Sequence, residues 1–124
     1  MEITRRDYPA IGRPGGPFCH AVRAGNMLFI SGATAGGTDA AAGTAAQQAE
    51  AVLKKLVHIL EAEGATLANV VKVTVFLTDI GDRAEIAKVR EKHFQGLYPA
   101  STLVEVSALA APNLNVEIEA VAAL

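Results

Sequence analysis

Few residues in this chain have types and spacing suited to chemistry. Glu117 and Glu119 alternate with apolar residues in Val116-Glu117-Ile118-Glu119-Ala120-Val121-Ala122. Period-two alternation puts both carboxylates on one face of a strand. Like charges so placed raise each other's pKa unless the face meets water, a cation or a cleft. A carboxylate held in a cleft with a raised pKa suits proton transfer near neutral pH. A solvated sheet face accounts for the alternation equally well. His20 stands two residues after Phe18 and is expected on the same face of a first strand. A lone histidine needs an orienting partner to act as acid or base. His58 and His93 fall on helical stretches, and no two of the three histidines share a metal-ligand spacing. Cys19, the only cysteine, can form no internal disulfide and has no adjacent base to activate it. The run Gly32-Ala33-Thr34-Ala35-Gly36-Gly37 lacks the Gly-Lys-Ser/Thr of a phosphate loop and reads as turn geometry. No metal site and no cofactor is expected.

The elements that must position these residues are bounded by composition. The 124 residues (12.9 kDa) carry a formal charge of -2 and a pI near 5.9. They form a single domain, residues 1–124. Hydrophobic residues are 51% and charged residues 19%, yet aromatics are only 5% and Trp is absent. The mean hydropathy of +0.28 points to more apolar surface than one copy hides, hence to self-association. No run is long enough to span a membrane. Met1–Asp7 is followed by no apolar stretch, so no leader peptide is expected. A single cysteine fits a reducing, cytoplasmic setting. The near-neutral charge argues against a nucleic-acid partner.

Residues 11–17, Ile-Gly-Arg-Pro-Gly-Gly-Pro, preclude regular structure. Phe18–Arg23 and Met27–Ser31 flank Gly25-Asn26 as a hairpin. The spacing of Val52, Leu53, Leu56, Val57 and Leu60 predicts a helix over about Thr44–Ala62, stopped by Gly64. Val70–Thr78 is a β-branched strand. Asp82 and Glu85 resemble a capping box that opens a second helix, with Ile86, Val89 and Phe94 as its stripe and Gly96 and Pro99 at its end. Strands Ser101–Leu109 and Leu114–Ala122 follow. The order ββαβαββ predicts an α+β two-layer sandwich, a mixed sheet with both helices on one face. The other face needs a cover, and a second copy of the chain supplies one.

Taken in order, these segments resemble a known family. Gly16-Pro17-Phe18 and Ala21-Val22-Arg23-Ala24-Gly25-Asn26-Met27-Leu28-Phe29-Ile30-Ser31-Gly32 resemble the start of the Rid (YjgF/RidA) reactive-intermediate deaminases. Val71–Asp79 resembles the central strand of that family. Tyr98-Pro99-Ala100-Ser101-Thr102-Leu103-Val104-Glu105-Val106 with Val116–Ala122 resembles its C-terminal signature. The match keeps order and spacing over nearly the whole chain.

The resemblance implies a homotrimer with a central barrel of sheets, helices outside, and ligand clefts between subunits. It implies cofactor-independent hydrolysis of enamines and imines to a carbonyl compound and ammonia. A last-strand glutamate handling water falls on Glu119. The Ser-Gly pair falls on Ser31 and Gly32, and the pocket aromatic, usually Tyr, on Phe18. The arginine that grips the substrate carboxylate usually follows Pro-Ala; here Ser101 stands there, and Leu103 replaces a frequent cysteine. Loss of that fork points away from 2-aminoacrylate as substrate, with Ser101, Thr102, His20 or Arg13 as substitute anchors. The expected pocket is therefore Glu119 with Phe18, His20, Ser31, Gly32, Ser101 and Leu103. Two other readings are a metabolite-binding trimer without turnover and an endoribonuclease or translation inhibitor; the charge weighs against the latter.

Overall fold

The computed structural model describes residues 1–124. Helix α1 spans Ala45–Ala62. Thr44 caps it: its hydroxyl accepts from the Gln47 N–H, and its own N–H donates to the Gln47 side chain. Val52, Leu53, Leu56, Ile59 and Leu60 are buried along one stripe. The helix ends at Gly64, whose φ of +77° only glycine adopts without strain. Helix α2 spans Arg83–Phe94 and buries Ile86, Val89 and Phe94. It lacks the expected cap. Asp82 has helical dihedrals and its side chain caps nothing. A 3-10 turn, Ile80–Asp82, leads in instead, and Asp79 accepts from the Gly81 N–H at 2.8 Å. The capping carboxylate thus lies one short turn upstream of the expected position.

The strands are β1 (Ile3–Arg6), β2 (Ala21–Ala24), β3 (Met27–Ala33), β4 (Val70–Leu77), β5 (Ala100–Glu105) and β6 (Val116–Ala123). They form one mixed sheet in the order β1-β2-β3-β6-β4-β5. Only the β4–β5 pair is parallel. The α+β class and the two helices are as expected, with three corrections. First, β1 is an additional strand, so the order is βββαβαββ. Ile-Thr-Arg-Arg carries no apolar alternation, because an edge strand is tolerated with charges and little burial. Second, β2 begins at Ala21, not Phe18. Phe18–His20 bend after Pro17, so His20 and Phe18 share a loop rather than a strand face. Third, β5 ends at Glu105, where its parallel partner β4 ends at Leu77.

The last strand, β6, inserts between β3 and β4 and gives the sheet its centre. Val116, Ile118, Ala120 and Ala122 are buried on its helix side. They meet Leu28 and Ile30 of β3, Val73, Val75 and Leu77 of β4, and the α1 stripe in one core cluster. Each such Leu, Ile or Val contributes roughly 1.5–3 kcal/mol by leaving water. Gln48 is the one fully buried polar residue. Its amide donates to the Asn113 carbonyl at 2.9 Å, and its oxygen accepts from the Asn115 N–H at 2.7 Å, tying α1 to the loop before β6. The opposite sheet face has no helix. Phe29 is 48%, Val71 44% and Val104 38% exposed. The accessible surface is 6838 Å², against roughly 6,300 Å² expected for a monomer of this mass. No helix is long and apolar enough to cross a membrane.

Candidate functional site

Between Ile30 and Ala33 the pairing of β3 with β6 breaks register. Such a bulge re-aims the local chain, and Ser31 and Gly32 lie in it. The Ser31 N–H donates to the His20 carbonyl at 2.9 Å, and its hydroxyl donates to the Cys19 carbonyl at 2.7 Å. Ser31 therefore fastens the Phe18–His20 bend to the end of β3. On β6, the Glu117 carboxyl rests against Gly32. A Cβ on Gly32 would collide with that carboxyl, 2.8 Å from its carbon. Glycine is required here to let an acid approach the backbone.

These residues share one cavity of about 1020 Å³. Phe18, His20, Ser31, Gly32 and Glu117 line it, with Arg13 from the proline-glycine loop and Glu50, Lys55 and His58 from α1. Phe18 is 50% exposed and offers an apolar wall. His20 is oriented: the Tyr8 N–H donates to its Nδ1 at 2.9 Å. A ring nitrogen that accepts carries no proton, so the neutral imidazole bears its proton on Nε2. The backbone N–H of His20 donates to the Asp7 carboxylate at 3.1 Å, and the imidazole stacks on the Tyr8 ring with centroids 6.0 Å apart. Lys55 donates to the carbonyls of Thr34 and Gly36, both at 2.8 Å, and shapes the glycine-rich loop. Burial pushes the Lys55 ammonium below its usual pKa.

Glu117 is half-buried and makes no hydrogen bond or ion pair. Burial first, then the charge of Glu119, raises its pKa above the usual carboxylate range. Glu119 shares its face of the strand but not the cavity. It is exposed on the bare side of the sheet, near Lys72 and Thr74 in a small depression of about 160 Å³. The other two expected residues lie elsewhere again. Ser101 and Leu103 are on β5, the sheet edge, with β4 and β6 between them and β3. Leu103 packs on the core. The Ser101 hydroxyl accepts from Arg90 Nη2 of α2 at 2.7 Å.

The structure thus brings Phe18, His20, Ser31 and Gly32 together and adds Glu117. It leaves Glu119, Ser101 and Leu103 outside that group within one copy. Sequence reasoning overlooked Lys55, half-buried beside the α1 stripe, and Arg90, whose contact with Ser101 crosses the α2–β5 connection. No three His, Cys, Asp or Glu side chains converge as a metal site requires.

A family model described as Endoribonuclease L-PSP matches residues 10–124. A solved Mycobacterium tuberculosis member of the YjgF/YER057c/UK114 family superposes with a TM-score of 0.83 at 33% identity, covering 99% of this chain and all of that one (100%). The chain belongs to this Rid/YjgF family. Among relatives of the Rid chain, "RutC family protein y4sK" of Sinorhizobium fredii is 43% identical over 114 residues, 88% of each chain. The human 2-iminobutanoate/2-iminopropanoate deaminase is 35% identical over 128 residues, covering 98% of this chain and 91% of that protein. In the Rid chain the bulge at Ser31-Gly32 and the acidic β6 form one unit: the glycine makes room for the acid.

Proposed function

We propose that this chain is a cofactor-independent deaminase that hydrolyses an imine to a carbonyl compound and ammonia, in clefts completed by association of copies into a homotrimer. The observation that carries the reading is the Glu117 carboxyl, half-buried against Gly32 and facing the cavity of Phe18, His20 and Ser31. The human relative's name, an imino-acid deaminase, supports it.

The chemistry needs little apparatus. A water attacks the imine carbon, and its proton passes to Glu117 as the C–O bond forms. With the imine entering protonated, the resulting neutral carbinolamine takes that proton back from Glu117 on its nitrogen. The C–N bond breaks, ammonia leaves, and the hydroxyl proton passes to the Glu117 carboxylate as the carbonyl forms. A base whose pKa lies above that of an ordinary carboxylate is closer to the optimum for such transfers at neutral pH. His20, with its Nε2 proton fixed by the Tyr8 contact, supplies a neutral donor to the substrate side. Phe18 shields the site without adding a hydroxyl.

The water-handling role that family resemblance gave to Glu119 passes, in this reading, to Glu117, because only Glu117 faces the cavity. The test is ammonia and keto-acid release from freshly generated imines with Glu117→Gln and Glu119→Gln. Loss of about 10²- to 10⁴-fold is expected for Glu117→Gln, with a change within a few-fold for Glu119→Gln. The reverse pattern returns the role to Glu119. Ligand-induced thermal stabilisation without turnover would make the chain a binding protein instead.

A further inference from the structure

His20 is held at every polar atom but one. Its main-chain N–H donates to the Asp7 carboxylate at 3.1 Å, and its carbonyl accepts from the Ser31 N–H at 2.9 Å. Its Nδ1 accepts from the Tyr8 N–H at 2.9 Å. Nε2 bonds to nothing in the chain and is not sealed away, since no buried side-chain nitrogen or oxygen lacks a partner. A residue fixed at three points, with its fourth polar atom left open on a cavity wall, is arranged to present that atom.

The grip on the ring originates outside the cavity. Tyr8 is buried and does not line it. The Tyr8 ring lies between two histidines that do: it stacks on His20, and it meets His58 edge to face with centroids 6.4 Å apart. Its hydroxyl donates to Glu63 Oε2 at 3.1 Å. Glu63 caps the C-terminal end of α1, and its other oxygen pairs with Arg6 at 3.2 Å. The Glu63 side chain is only 5% exposed, so a carboxylate has left water at some cost to hold this hydroxyl and this arginine. Burial, then the bond and charge of Glu63, push the Tyr8 pKa upward, so the phenol keeps its proton and stays the donor. Strand β1 carries the arrangement: its pairing with β2, from Ile3 opposite Ala24 to Arg6 opposite Ala21, fixes the main chain that delivers Arg6, Asp7 and Tyr8.

We infer that Tyr8 is a positioning residue: held by Glu63, it clamps the His20 ring so that the Nε2–H is the group offered to a ligand in the cavity. The inference rests on the deaminase reading, in which that N–H serves the substrate, and adds the line Arg6–Glu63–Tyr8 behind it. An imidazole free to turn about its Cβ–Cγ bond offers either nitrogen and loses freedom each time it engages a substrate. A ring stacked on one face and bonded at Nδ1 has one orientation and one neutral tautomer before the substrate arrives.

The experiment uses the full chain, isotope-labelled in nitrogen, at about pH 8, where an ordinary imidazole is neutral. The wild type is expected to show a nitrogen–nitrogen coupling across the hydrogen bond from the Tyr8 amide to His20 Nδ1, with the ring proton on Nε2. Glu63→Ala and Tyr8→Leu are expected to abolish or weaken that coupling. Both should lower kcat on 2-iminobutanoate generated in the assay by about 10-fold, part of the roughly 10²- to 10⁴-fold that a positioned acid or base contributes, with KM changed less than about two-fold. Glu63→Gln, whose side-chain oxygen still accepts from the Tyr8 hydroxyl, should recover most of both readouts. A coupling absent from the wild type, or intact in both Glu63→Ala and Tyr8→Leu, overturns the inference. So does a coupling lost with kcat unchanged, since the clamp then serves the fold alone. If the wild type turns over no imine, the deaminase reading fails by itself and the coupling decides the clamp: lost in Glu63→Ala it is upheld, retained it is overturned.

Discussion

The β3–β6 seam and the β5 edge differ in almost every physical respect. At the seam, Leu28, Ile30, Ile118 and Ala120 are buried on one side, and the bulge at Ser31-Gly32 holds an acid against the backbone on the other. At the edge, Ser101, Thr102 and Val104 are exposed, and the half-buried Arg90 of α2 donates to the Ser101 hydroxyl. The seam is buried and acidic, the edge exposed and polar. The two regions should also respond to mutation in opposite currencies, stability at the seam and assembly at the edge.

The largest effect tests that division directly. Ile118→Ala, at a position 1% exposed, should cost about 2–5 kcal/mol in unfolding free energy, as other large-to-small core changes do. Val104→Ala, 38% exposed on the edge strand, should cost under about 0.5 kcal/mol in the dissociated chain. Urea unfolding at low protein concentration measures both. Comparable losses would mean that the edge is as structural as the seam.

Lys55→Met comes next. It removes two charge-assisted bonds to the Thr34 and Gly36 carbonyls but also relieves the burial of an ammonium. A net loss of about 1–2 kcal/mol is expected, with faster amide exchange confined to the glycine-rich loop. A global loss of protection would place Lys55 in the core rather than the cavity wall.

Much of this division was legible in the sequence, and the failures have physical causes. Helical spacing of Val52, Leu53, Leu56 and Leu60 gave α1, because a buried stripe leaves a periodic trace. The Thr44–Gln47 box went unnoticed because its second member is Gln in an otherwise Ala-rich run. Strand β1 was invisible, since Ile3–Arg6 is charged and barely buried. Among the site residues, Phe18, His20, Ser31 and Gly32 could be grouped because they are close in the chain. Alternation put Glu117 and Glu119 on one face but carried no information on depth. Depth depends on the bulge at Ser31-Gly32, against which the Glu117 carboxyl leans, and that bulge is a property of strand pairing. Arg90 and Ser101 meet across a helix end and a turn, a contact no periodicity encodes.

Gly32→Ala probes the close approach at the seam. The added methyl meets the Glu117 carboxyl, the movable end of a side chain, so the acid should swing aside while the fold survives. An activity loss of about 10-fold with a stability change under about 1 kcal/mol is expected. Full activity would detach the Glu117 position from function.

The smallest effect is the most specific to Glu117. Its folded-state pKa lies above the unfolded value, chiefly through burial and then through Glu119. The native chain therefore binds this proton more tightly than the unfolded chain does. The stability tied to that proton is complete below the unfolded carboxyl pKa, about 4.3, and is lost as pH rises through the folded value. At pH 8 the charged carboxylate is a burden that Glu117→Gln removes, so the variant should melt slightly above the wild type. The gain should not exceed about 1 kcal/mol, since much of the group still sees water. It should vanish toward pH 4, where the protonated acid and the amide are nearly alike. Glu119→Gln should lower the Glu117 pKa and shrink the pH 8 difference, because it removes the lesser of the two causes. A variant less stable than the wild type at pH 8 would mean that the Glu117 charge meets a compensating cation, and the seam would no longer be the acidic half of the pair.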